Sequence, residues 1–165
     1  MEFIFHKVLK PLLKKMLPTI IYQHRKENLK KCTLTHLKKR DDFIFFTYPN
    51  EELPDLTGYV ILTMDAPLLT TEDKNKGIVI IDGTWKYANI MLNTLEKRPN
   101  LEYRSLPANY CTAYPRKQTD CPDPKTGLAS IEAIYIAYII TNRNVENLLT
   151  NYYWKEDFLK KNNLN

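Results

Sequence analysis

The chain has 165 residues, 44% of them hydrophobic and 26% charged, which excludes wholesale disorder and leaves room for one domain with a buried core. Its net charge of +5 is unevenly spread: residues 1 to 40 hold eleven Lys/Arg against two acids, Glu2 and Glu27, and the remainder is slightly acidic. A basic end of this kind suits a polyanion, either RNA or an anionic membrane surface, and equally a merely solvated helix face.

Residues 3 to 17 place Phe5, Val8, Leu9, Leu12, Leu13, Met16 and Leu17 at spacings of three and four. That period predicts an amphipathic helix with a basic opposite face, bent at Pro11. Lys7, Lys10, Lys14 and Lys15 interrupt the apolar residues, so the segment is neither a signal-peptide core nor a membrane span. A cytoplasmic protein without membrane insertion is expected.

Thr19 to Gln23 reads as a short strand, followed by a Lys-rich stretch from His24 to Arg40 with a short helix after Thr33. FIFFT (43–47) is a strand, too short and too uniformly apolar for a surface helix. GYVILT (58–63) and GIVIID (77–82) are glycine-opened apolar runs of the kind buried in parallel sheets, with room for one helical turn between Asp65 and Lys76. The second run ends in Asp82-Gly83-Thr84-Trp85 and turns helical, with Ile90, Met91 and Leu95 at helical spacing. Such carboxyl ends of parallel strands are where open α/β sheets hold ligands.

LEYRSLP (101–107) is a further strand, and residues 108 to 126, rich in Pro, Asn, Tyr and Asp, form a long functional loop. LASIEAIYIAYII (128–140) is a buried helix, and Val145–Tyr152 and Trp154–Lys161 predict two short ones. The chain therefore reads α/β first and all-α at its end.

Several chemistries are excluded. There is no GxGxxG after the first strand, no GxxxxGK[ST] phosphate loop, and no HExxH or paired-His motif, so no metal site is expected. His6, His24 and His36 all lie in the basic N-terminal part, which argues against a Ser-His-Asp hydrolase. Cys32, Cys111 and Cys121 form no CxxC pair and read as free thiols in a reducing compartment. Taken singly, a residue such as Trp85 is more often core than pocket, and Asp82 could simply cap the following helix. Glu132 in an apolar helix requires hydrogen-bond partners or a role in a site, since an unpaired buried carboxylate is costly.

Five segments in order carry a resemblance: KKCTLTHL (30–37), IIDGTW (80–85), RSLP (104–107), LASIEAIYIAY (128–138) and LLTNYYWKEDFLKKN (148–162). Together, over roughly residues 19 to 162, they resemble the ribosomal-RNA aminocarboxypropyltransferases of the DTW-domain superfamily, whose relatives also modify tRNA. The resemblance implies an α/β, SPOUT-like parallel sheet with a C-terminal helical part and a trefoil knot. It divides the chain into an N-terminal helical extension (1–18), an α/β part (19–98) and a knotted, mainly helical C-terminal part (99–165). It implies S-adenosylmethionine bound largely by backbone groups of loops, near Thr33, Leu62, Pro67, Asp82, Trp85, Leu106, Tyr110, Tyr114 and Ser130. Asp82 is the implied catalytic residue, acting as base or as anchor of the donor.

The implied reaction is transfer of a 3-amino-3-carboxypropyl group to N3 of a uridine or pseudouridine in structured RNA, with rRNA favoured and tRNA the alternative. Arg25, Lys26, Lys30, Lys31, Lys38, Lys39 and Arg40 are the expected RNA contacts, with Arg116 and Lys117 near the site. A monomer is expected. Competing readings are a SPOUT-type RNA methyltransferase, a non-catalytic RNA-binding assembly factor, and a membrane-surface protein anchored by its first helix.

Overall fold

The computed structural model describes residues 15–115 and 127–165. Most of the predicted N-terminal helix, with Arg116, Lys117 and Cys121, lies outside them. The predicted strands form as β1 (Thr19–His24), β2 (Phe43–Tyr48), β3 (Tyr59–Leu62), β4 (Gly77–Asp82) and β5 (Glu102–Arg104). They pair in parallel into one sheet of order β2-β1-β4-β3-β5. The sheet's two central strands are the most apolar: β1 is buried at every position and β4 at all but Ile81. Continuous apolar runs without polar alternation are what a sheet covered on both faces requires.

Alternate residues serve opposite faces. Ile21, Val60, Ile78 and Ile80 join one hydrophobic cluster, and Ile20, Tyr22, Ile61 and Val79 join the other. Helix α1 (Trp85–Leu95) covers the second face through Met91 and Leu95. Helix α2 (Ser130–Ile140) covers the first and is apolar nearly all round, so it needs cover from more than the sheet. The C-terminal segment supplies it: Leu148, Leu149, Tyr152 and Phe158 share that cluster, and the Phe158 ring meets Tyr135 edge-on at 6.1 Å.

The two helical turns expected around residues 33–40 and 65–76 are single 3-10 turns, Thr35–Lys39 and Thr71–Asp73. The helix predicted over Val145–Tyr152 does not form; that stretch is a run of turns, and Asn147 takes a left-handed φ of 62° that breaks helical geometry. Helix α3 (Lys155–Lys161) forms as expected. In a chain with only four glycines, asparagines take over left-handed positions. Asn142 (φ 54°) follows α2 and lets the Arg143 N–H reach back to Tyr138 O at 2.8 Å; Asn163 (φ 52°) does the same for Leu164 and Leu159 at 2.9 Å.

At the amino edge of the sheet, buried Arg143 donates to the carbonyls of Lys76 and Leu17 and lies over the Tyr138 ring at 5.6 Å. It thereby ties the segments entering β4 and β1. Gly77 opens β4 directly beneath the Tyr59 ring, where a Cβ would collide with ring carbons. The Tyr59 hydroxyl is in turn held by Pro18 O at 3.0 Å, so the ring has little freedom to retreat. Gly77→Ala is expected to cost about 1–3 kcal/mol by overpacking, read as a lowered midpoint in urea with an unchanged slope.

Candidate active site at the carboxyl edge of the sheet

Because all five strands run the same way, the segments that follow them gather at one edge. Asp82 ends β4 there and is 6% exposed. It is paired in register with Gln23 on β1, so both side chains leave the same face of the sheet. Gln23 Nε2 donates to Asp82 Oδ2 at 2.8 Å, and Ser130 Oγ, at the start of α2, donates to Asp82 Oδ1 at 2.6 Å. Asp82 is therefore no cap of α1, whose own N-cap, Thr84, makes no side-chain capping bond. None of the ion pairs among the described residues involves it. Two neutral donors thus orient a carboxylate whose charge no neighbouring cation cancels.

Cys32 completes this cluster, with its thiol 3.7 Å from Asp82 Oδ2 and 3.3 Å from Gln23 Nε2. Burial, reinforced by the Asp82 charge, pushes the thiol above its ordinary pKa, so at neutral pH it is a protonated hydrogen-bond donor. Glu27, Cys32 and Asp82 bring one ligand-type atom each within 4.8 Å of one another. His24, the last residue of β1, stacks on Tyr87 of α1 with centroids 4.0 Å apart. Burial and the charges of Lys26 and Arg25 hold its imidazole below the usual pKa, and its Nδ1 accepts the Lys26 N–H.

The loop after β5 is clamped from two helices. Glu132, wholly buried in α2, accepts from Thr112 Oγ1 at 2.6 Å, Ala113 N at 2.8 Å and Ala129 N at 2.7 Å. Asn162, just past α3, accepts from Cys111 N at 2.7 Å and donates to Cys111 O at 2.8 Å. The loop after β3 is bound to β5's continuation, where Ser105 N donates to Pro67 O and Ser105 Oγ to Ala66 O. These bonds hold two loops at fixed positions beside Asp82's edge of the sheet.

A buried carboxylate stabilises the second of them. Burial opposes the charged form of Asp73, yet bonds from the Thr70 N–H, Arg104 and Lys76 outweigh it and hold the carboxyl below its ordinary pKa. A folded pKa below the unfolded one means that this stabilisation is present above the unfolded pKa and is lost as pH falls through the folded one. Asp73→Asn is expected to destabilise the fold by about 1–3 kcal/mol at neutral pH. Melting curves of both proteins should converge in acid, below the ordinary carboxylate range.

The DTW domain family matches residues 5–155. This chain belongs to it. Among solved structures, the fold is similar to the SAM-dependent rRNA:acp-transferase Tsr3 from Vulcanisaeta distributa, with 25% identity, a TM-score of 0.66, and coverage of 90% of this chain and 80% of that one. No match is found among curated proteins.

The residues expected at the cofactor of a DTW-domain protein sort by position. Asp82 and Ser130 are in direct contact. Thr33 sits in the loop after β1, next to Cys32; Leu62 ends β3 and Pro67 lies in the loop that follows it. Leu106, Tyr110 and Tyr114 belong to the loop after β5 and pack half-buried against the cluster under α2. All of these lie on segments leaving strands at the carboxyl edge, or at the start of α2. Trp85, 38% exposed at the first position of α1, belongs to neither hydrophobic cluster, which removes its reading as core.

The basic residues divide. Arg25, Lys26, Lys30 and Lys31 are exposed on the loop leaving β1, at Asp82's edge. Lys38, whose ammonium lies over the Phe45 ring at 5.4 Å, is on the 3-10 turn. Arg40 lies at the opposite, amino edge, where it is bidentate to Asp42 at 2.8 and 2.7 Å and donates to Glu146 O, and Lys39 lines the same cleft. Lys39 and Arg40 thus lie apart from the other four, because the chain crosses the sheet face between residues 34 and 42. Gln23, Cys32 and Asn162 were absent from the residues expected at the site. An amide closing an otherwise apolar strand was a readable signal for Gln23; nothing in the sequence singled out Asn162.

Proposed function

We propose that this DTW-domain protein binds S-adenosylmethionine at the carboxyl edge of its sheet and transfers the 3-amino-3-carboxypropyl group to N3 of a uridine or pseudouridine in a structured RNA, ribosomal RNA being favoured. The observation that carries the reading is the oriented, uncancelled carboxylate of Asp82, three residues before exposed Trp85, in a chain whose family and fold neighbour point to this chemistry. The residues present fit such a donor: an anionic group for its cationic end, an indole face, and loops that offer backbone donors and acceptors. When bound, its sulfonium activates the attached carbons to attack, with methylthioadenosine as leaving group.

The protein's own contribution is mainly orientation. Trp85 and the loops around Leu62, Pro67, Leu106, Tyr110 and Tyr114 hold the donor so that the longer arm, not the methyl, faces the acceptor. Holding two reactants in line supplies most of the rate. Asp82 either anchors the donor's amino group or accepts the N3 proton, which requires hydrogen-bond reach of N3. Arg25, Lys26, Lys30 and Lys31 meet phosphates beside the site, and a base in an exposed RNA loop enters it. Lys38, Lys39 and Arg40 extend the contact if the RNA wraps the sheet face. The reading carries with it the C-terminal trefoil knot that the family resemblance implies, and a monomer acting in the cytoplasm.

Among the described residues, no helix is long and apolar enough to cross a membrane. The test is incubation with S-adenosylmethionine and total RNA, followed by mass analysis of nucleosides and small molecules. Aminocarboxypropyl-uridine or -pseudouridine with methylthioadenosine is expected, and fractionating the RNA separates the rRNA from the tRNA reading. S-adenosylhomocysteine with a methylated base would replace the proposal with a methyltransferase. RNA binding with no product and no response to the donor would replace it with an assembly factor.

A further inference from the structure

We infer that Gln23 is a positioning residue of this site, presenting the Asp82 carboxylate to the positively charged donor; the inference rests on the reading above. A carboxylate at the end of a strand turns freely about its last bond unless both oxygens are held, and a misaimed charge loses its directional bonds. Ser130 holds Oδ1. Oδ2 is held from the opposite side by the Gln23 amide at 2.8 Å, with the Cys32 thiol a longer, weaker donor at 3.7 Å.

The place of this amide in the fold explains its chemistry. Gln23 is 6% exposed at the next-to-last position of a strand whose preceding residues Ile20, Ile21 and Tyr22 are core. A buried amide is costly without partners, and its Nε2 finds two, Asp82 Oδ2 and Cys32 Sγ. Register fixes the first of these: Gln23 stands opposite Asp82 on the neighbouring parallel strand. A lysine or arginine here would also bond Asp82, but its charge would cancel the attraction the donor needs. A carboxylate would compete for the same proton and repel Asp82. A methionine would fill the space without the bond. The amide is the long, neutral donor that orients the charge and leaves it available. Glu27 and Cys32 on the loop after β1 and Ser130 on α2 also lie at Asp82, and among the described residues no ion pair reaches it.

A residue that acts through Asp82 must lose its effect when Asp82 is changed. The experiment is a double-mutant cycle on S-adenosylmethionine affinity, by calorimetry, with wild type, Gln23→Met, Asp82→Asn and the pair, each checked for folding by its melting curve. Gln23→Met is expected to weaken binding roughly tenfold, the worth of one hydrogen bond to a charged group. In the Asp82→Asn background the same change should alter affinity by about twofold or less. If Gln23→Met does not fold, Gln23→Asn, which keeps the amide but is one methylene short of Asp82, replaces it with the same expectation. A tenfold loss that persists without the Asp82 carboxylate, or no loss in the wild-type background, overturns the inference while leaving the donor-binding reading standing. Wild type that binds no S-adenosylmethionine overturns the reading and this inference together.

Discussion

Asp82→Asn is expected to weaken S-adenosylmethionine binding roughly a hundredfold and to lower transfer by at least as much, while the protein still folds. The substitution keeps the shape of the side chain, removes the charge and turns one acceptor oxygen into an NH2 that faces Gln23 or Ser130. Asp82 is buried, bonded by Gln23 and Ser130, and has no cationic neighbour among the described residues to mask it. Removing one partner of a desolvated, hydrogen-bonded charge pair costs about 2–5 kcal/mol, and each 1.4 kcal/mol is tenfold in affinity. Calorimetry with S-adenosylmethionine and a parallel melting curve separate the two effects. Unchanged affinity in a folded Asp82→Asn protein would remove Asp82 from the donor site.

Glu132→Ala is expected to have the largest effect on stability, on the order of 3–5 kcal/mol, or roughly a 10 °C fall in melting temperature for a chain of this size. The side chain is fully buried and accepts three hydrogen bonds, from Thr112, Ala113 and Ala129. Truncation strands two buried donors and one part-buried donor, and opens a cavity where the side chain was. Two of the stranded donors belong to the loop after β5, so donor affinity should fall together with stability. Glu132→Gln keeps the volume but turns an NH2 towards backbone N–H groups, and it should recover less than half of the loss. Hydrogen exchange at Thr112, Ala113 and Tyr114 gives the local readout: protection there should fall more than in β1 or β4.

The glutamate shows how far sequence reasoning reaches. A carboxylate in LASIEAIYIAYII had to be bonded or functional, and that much followed from the cost of burying charge. Which groups bonded it did not follow, since Thr112 and Ala113 lie about twenty residues upstream across residues of no periodicity. The same limit separates Arg25, Lys26, Lys30 and Lys31 from Lys39 and Arg40. They form one basic stretch in sequence, yet the 3-10 turn at Thr35–Lys39 carries the chain across the sheet face, and Arg40 ends up neutralised by Asp42 at the far edge. Asn147 is the reverse case, a single residue whose left-handed φ turns a helical apolar period, Val145 to Tyr152, into a run of turns.

By itself the sequence determined the five strands, the parallel character of their sheet and the strand-to-helix junction at Asp82. Each follows from local information: uninterrupted apolar runs demand burial on both faces, and a strand ending in Asp-Gly-Thr before a helical period marks a strand-to-helix junction. Its ordered motifs also placed the chain in the DTW-domain family. Tertiary structure alone decided the strand order, the pairing of Gln23 with Asp82, the closure of Ser130 onto the same carboxylate, and the clamp from Glu132 and Asn162 onto the loop after β5. These are contacts between residues 19 to 59 positions apart, set by which strand lies beside which. Hydrophobic pattern specifies that a strand is buried but not its neighbour, and the chemistry of this site resides in the neighbours.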